Sequence, residues 1–114
     1  MPHFIIDCSE NITQQHTPET IMQKVYDTAV TSSLFAPDDI KVRINPFTDY
    51  MVGNGKNDFI HVFANIMEGR NTNQKSEFSK SIVSVLKTMF PEVPIISINI
   101  RDFEAATYCN KSMV

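Results

Sequence analysis

Twice along this chain a strand-length apolar run is followed by an amphipathic helix and a second strand, and that order constrains the fold more than any other feature. The first run, His3-Phe4-Ile5-Ile6-Asp7-Cys8, begins almost at the terminus. Phe4, Ile5 and Ile6 are consecutive, which suits a strand covered on both faces rather than one with a wet side. Thr17-Pro18-Glu19 offers a hydroxyl for an N-cap, a proline for the first helical position and an acid for the first turn. Ile21, Met22, Val25, Tyr26, Ala29 and Val30 then recur at helical spacing, and Pro37 closes the segment. Ile40, Val42 and Ile44 alternate with Lys41, Arg43 and Asn45, the period of a half-buried strand.

The second unit opens after Asn54-Gly55, a strong turn signal. Asp58 to Met67, with Phe59, Ile60, Val62, Phe63 and Ile66, predicts a long strand that Gly69 breaks. Asn71 or Thr72 can cap a helix whose apolar face is Phe78, Ile82, Val83, Leu86, Met89 and Phe90, with Lys75, Glu77, Lys80 and Lys87 mostly opposite. Pro91 and Pro94 end it, and Ile95, Ile96, Ile98 and Ile100 form a last strand before Arg101-Asp102. The prediction is one α+β domain over residues 1–114, built from β-α-β halves at about 2–50 and 56–104. It has a four-stranded sheet with two helices on one face. The other face stays partly apolar, which predicts an oligomer.

Charge and composition narrow the partners. A net charge of −3 gives no electrostatic footprint for nucleic acid or an anionic membrane. No apolar run approaches the roughly 20 residues that span a bilayer, and the start lacks a signal-peptide pattern. A reduced cytoplasmic setting is therefore expected. Cys8 and Cys109 stand outside any metal or redox spacing, and His3, His16 and His61 share no ligand spacing, so no metal is expected. Arg101-Asp102 fits a structural pair better than a ligand contact, and Gly53-Asn54-Gly55 is too short for a phosphate loop.

The chemistry sits at the start. Met1-Pro2 is a pair from which Met1 is readily removed, leaving a secondary amine on Pro2. An ordinary α-amino group titrates at about 7.7–8.0, and an apolar pocket or a nearby cation lowers that value. A base whose pKa lies near the working pH can both take and return a proton. The strand that starts at His3 would fix this amine at the end of the sheet. Arginines fall where the β-α-β units turn: Arg43 in the second strand and Arg70 before the second helix.

The opening Met1-Pro2-His3-Phe4-Ile5-Ile6-Asp7-Cys8-Ser9-Glu10-Asn11-Ile12 resembles that of the 5-carboxymethyl-2-hydroxymuconate isomerases of the tautomerase superfamily. The likeness continues in Ile40-Lys41-Val42-Arg43, in Asp58-Phe59 and in Gly69-Arg70. It implies a β-α-β-β-α-β tautomerase-like fold assembled as a homotrimer, sheets inward and helices outside. It also implies a cofactor-free 1,3-proton shift in an unsaturated 2-hydroxy dicarboxylate, within bacterial breakdown of homoprotocatechuate. Pro2 would be the catalytic base, while Arg70, and next Arg43 and Lys41, would bind substrate carboxylates and the developing dienolate. Lys41 stands where the family pattern favours arginine and lacks its bidentate fork. Two alternatives remain open at this point: a tautomerase of another small enol, and a non-catalytic trimeric scaffold of the same fold.

Overall fold

The computed structural model describes residues 1–114. β1 (His3–Ser9) leads through a single turn, α1 (Ile12–Gln15), into α2 (Pro18–Thr31). A 3-10 turn at Pro37–Asp39 opens β2 (Lys41–Phe47), and β3 (Phe59–Met67), α3 (Thr72–Met89) and β4 (Ile95–Phe103) follow. The sheet order is β2-β1-β3-β4. β1 runs parallel to β2, β3 parallel to β4, and the two pairs meet antiparallel between β1 and β3. The expected β-α-β-β-α-β arrangement is thus present.

Caps and breaks explain the element ends. Thr17 accepts the Thr20 N–H, and Pro18 occupies the first turn of α2. Asn71 and Gln74 close a reciprocal capping box on α3, so Asn71 rather than Thr72 is the cap. Gly69 sits at φ +124, a conformation open to glycine, and lets the chain leave β3 for α3. Two boundaries and one extra turn differ from expectation. α2 stops at Thr31, well before Pro37, because Ser33 turns the chain at φ 62 and Pro37 instead begins the 3-10 turn. β4 continues through Arg101 and Asp102 to Phe103, which pairs with Met67. The single turn of α1 has too few residues to show a period.

One core lies between the helices and one sheet face. Phe4, Ile6 and Cys8 of β1 and Ile60, Val62, Ala64 and Ile66 of β3 point into it. Ile21, Val25 and Ala29 of α2 and Phe78, Ile82 and Leu86 of α3 meet them. Apolar burial of this kind contributes roughly 25 cal/mol per Å². Cys8 behaves as a small apolar side chain, and burial pushes its thiol up to about 11. At the far end of β1, the buried Ser9 hydroxyl donates to Asp58 Oδ1 at 2.9 Å and accepts the Phe59 N–H, tying β1 to the start of β3.

The opposite sheet face is left without a layer. In register order its rows run Lys41, His3, Asn65, Arg101; then Arg43, Ile5, Phe63, Asn99; then Asn45, Asp7, His61, Ser97. Ile5 therefore belongs to this half-buried face and not to the core. The face mixes apolar side chains with paired polar ones. Asn45 donates to Asp7 Oδ1 at 3.2 Å, and His61 is held between Ser97 Oγ at 2.7 Å and Asn99 Oδ1 at 2.6 Å. With Asn99 Oδ1 as acceptor, Nε2 of His61 carries the ring proton and Nδ1 accepts from Ser97. His3 and His61 share the face but not a neighbourhood, since His3 pairs with Asn65 and His61 with Asp7.

Candidate active site

Antiparallel pairing of β1 with β3 brings the starts of β1 and β2 and the ends of β3 and β4 to one end of the sheet. Pro2 is buried there, and its carbonyl accepts the Lys41 N–H at 3.1 Å, so the Pro2–His3 peptide is part of the sheet ladder. Pro2 is consequently fixed to the scaffold. In this structure the terminal amine belongs to Met1, the residue directly before Pro2. It lies 3.5 Å from Asp39 Oδ2. Its pKa is lowered chiefly by burial. Asp39 opposes that effect, and the positive charges of Lys41 and Arg70 add to it.

Of the expected site residues, Pro2, Lys41 and Arg70 converge on this end; Arg43 reaches it through His3. Lys41 and Arg43 share the open face two positions apart, as period-2 geometry requires. Lys41 Nζ folds back onto the Asp39 carbonyl at 2.6 Å. Arg43 Nη1 donates to His3 Nδ1 at 3.1 Å, which leaves the proton of a neutral imidazole on Nε2. Burial, and then the charges of Arg43 and Lys41, lower the His3 pKa and favour that neutral form. The His3 ring also packs edge-on against Phe103 at 6.1 Å, and Phe103 meets Tyr108 at 5.6 Å.

Arg70 is held more firmly than the sequence implies. Nη1 donates to the Met67 carbonyl at 3.1 Å and Nη2 to the Leu34 carbonyl. The guanidinium lies over the Phe35 ring, 5.1 Å from its centroid. Phe35 in turn packs against Phe4 and Phe78 at 5.6 and 5.5 Å. The charge that acts on the amine is thus anchored to the core's aromatic cluster and bridges the end of β3 to the loop after α2. A guanidinium has five N–H donors, so two backbone bonds leave others available to an anion. Arg101 stands at the β4 edge of the open face, level with Asn65, and Asp102 pairs at 3.1 Å with Lys75 rather than with Arg101, because neighbouring residues of a strand point to opposite faces.

Sequence reasoning missed Asp39, Phe35 and the His3–Arg43 contact. A signal for Asp39 exists: parallel pairing sets His3 opposite Lys41, so the residues before Lys41 must lie beside the residues before His3. Nothing local marks Phe35 as the seat of Arg70.

The fold is that of the tautomerases: two β-α-β units side by side in one four-stranded sheet. A solved 5-carboxymethyl-2-hydroxymuconate isomerase from Deinococcus radiodurans superposes with a TM-score of 0.84 at 22% identity, covering 96% of this chain and 88% of that one. A fused 4-OT symmetric trimer superposes at 0.79 with 18% identity, covering 96% and 94%. The 5-carboxymethyl-2-hydroxymuconate Delta-isomerase of Escherichia coli is 26% identical over 92 residues, 79% of this chain and 73% of that protein. The family model for 5-carboxymethyl-2-hydroxymuconate isomerase matches residues 2–112. The chain belongs to that family and is an isomerase. No helix is long and apolar enough to cross a membrane.

Proposed function

We propose that the chain, once Met1 is removed, catalyses a cofactor-free proton shift in an unsaturated 2-hydroxy dicarboxylate of the 5-carboxymethyl-2-hydroxymuconate type. The observation that carries this reading is Pro2 fixed at the sheet end, next to an amine on which the charges of Lys41 and Arg70 act. The neutral Pro2 amine takes the proton of the 2-hydroxyl, and the electron pair enters the conjugated system as a dienolate. The Pro2 ammonium then returns the proton to a distal carbon, giving the conjugated ketone with no net change in atoms or electrons. Arg70, Arg43 and Lys41 bind the carboxylates and offset the developing charge. Lys41 offers a point charge where arginine would offer a fork, so its contact is the less directional of the three.

The likeness to a fused trimer and the half-buried apolar side chains Ile5, Phe59 and Phe63 on the uncovered face support a homotrimer. So do Phe47 and Ile95 at the rim, exposed by 39% and 37%. In such an assembly the open face is buried and neighbouring chains complete each pocket. The class of reaction fits a cytoplasmic catabolic enzyme.

An ultraviolet assay tests the substrate directly. Protein free of Met1 is expected to consume the dienol 5-carboxymethyl-2-hydroxymuconate faster than 2-hydroxymuconate, because the extra carboxymethyl group gives the cations a further anchor. Preference for 2-hydroxymuconate would move the assignment to a tautomerase of another enol. Turnover of neither would favour a non-catalytic scaffold.

A further inference from the structure

One acidic side chain at the amine has no part in the chemistry described so far. Asp39 is the anion paired with the Met1 ammonium, one residue before Pro2, at 3.5 Å, and it stands on a fixed support. Its N–H bonds the Ala36 carbonyl at 2.9 Å, and Ile40 N–H bonds the Pro37 carbonyl at 3.3 Å, closing the 3-10 turn. Its own carbonyl receives Lys41 Nζ. The carboxylate and the nearest cation are therefore set by one short stretch of backbone.

We propose that Asp39 is a positioning residue for the Pro2 amine, a nearby counter-charge to its protonated form that sets the pH at which that amine becomes a free base. This rests on the reading of Pro2 as the catalytic amine. The distance supports it: successive backbone nitrogens lie within about 4 Å of each other, so the carboxylate is within about 8 Å of the Pro2 nitrogen. That is no more than about a Debye length at physiological salt. The cations that act on the amine are Lys41 and Arg70. The same end of the sheet also holds His3 on β1, Arg43 on β2, Glu68 after β3, and on β4 Arg101 in the His3 row and Asp102 paired with Lys75, with Tyr108 behind Phe103. Burial and the cations all disfavour an ammonium here. A base that must also carry a proton back to carbon needs an opposing anion, and Asp39 supplies it.

The test is a titration of the amine itself. The chain has six prolines. In protein lacking Met1, only Pro2 has an amine nitrogen, so ¹⁵N-proline labelling gives one titrating signal. Asp39→Asn is expected to lower its midpoint by about 0.5–1 pH unit, the size expected of one charge at this range in a solvent-rich dielectric. Asp39→Glu should restore most of that shift. The acid limb of kcat/KM should move down with the midpoint, giving Asp39→Asn more activity than the parent below it. A midpoint unchanged in Asp39→Asn would overturn the proposal, whatever happens to the rate. Pro2→Ala separates the two ideas: full activity in that variant would remove Pro2 as the base and still leave the effect of Asp39 on the amine to be read from the titration.

Discussion

Pro2→Ala is expected to lower kcat/KM by about 10–100-fold, with thermal stability and assembly close to those of the parent. A positioned general base contributes about 10²–10⁴-fold, and this variant keeps part of that because alanine still presents a primary amine. What it loses is the ring. The pyrrolidine ring blocks rotation about the N–Cα bond and points the nitrogen lone pair in one direction, whereas a primary amine rotates. The sheet contact made by the Pro2 carbonyl to Lys41 N–H survives in alanine, so the fold has no reason to change. The rate, the melting temperature and the size of the assembly measured together separate a lost base from a disturbed strand. An unchanged rate would eliminate Pro2 as the proton carrier.

Arg70→Ala should cost both stability and rate. The guanidinium satisfies the Met67 and Leu34 carbonyls and stacks on Phe35, a contact between segments 36 residues apart in sequence. Hydrogen bonds from a charged donor are worth about 1.5–3 kcal/mol, and a cation–π contact adds about 0.5–1 kcal/mol. Both carbonyls are near enough to solvent for water to replace part of this, so a loss of about 2–3 kcal/mol in urea unfolding is expected. The rate should fall by about 10²-fold as a carboxylate anchor and a stabiliser of the dienolate charge disappear. Arg70→Lys divides the two roles. It keeps the charge but not the planar fork, and should recover more of the rate than of the stability. Normal activity in a destabilised Arg70→Ala would make this side chain a structural clamp only.

Much of the fold is legible in the sequence because it is written in short-range chemistry. Thr17-Pro18-Glu19 and Asn71 mark the two long helices through their caps, and alternation from Ile40 to Asn45 marks β2. The misplaced boundaries lie where no local rule applies. Ser33 takes a left-handed conformation without glycine to signal it, and Arg101-Asp102 look like a strand end but stay paired because β3 extends to Met67. In the site, Pro2 and the shared face of Lys41 and Arg43 follow from position and period alone. The seat of Arg70 on Phe35 and the Leu34 carbonyl depends on how the loop after α2 meets the end of β3. Asp39 depends on the register of β2 against β1. Both are properties of packing between distant segments, which no local pattern encodes.

The central claim is that a free amine on Pro2 moves the proton. With Met1 attached, the nitrogen of Pro2 is an amide and not a base, so the same chain can be compared with and without it. Protein prepared in both forms, verified by intact mass, and assayed on 5-carboxymethyl-2-hydroxymuconate tests this most directly. Activity is predicted to follow the fraction of chains lacking Met1, with the retained form slower by about 10²-fold or more. Equal rates from the two forms would contradict the account.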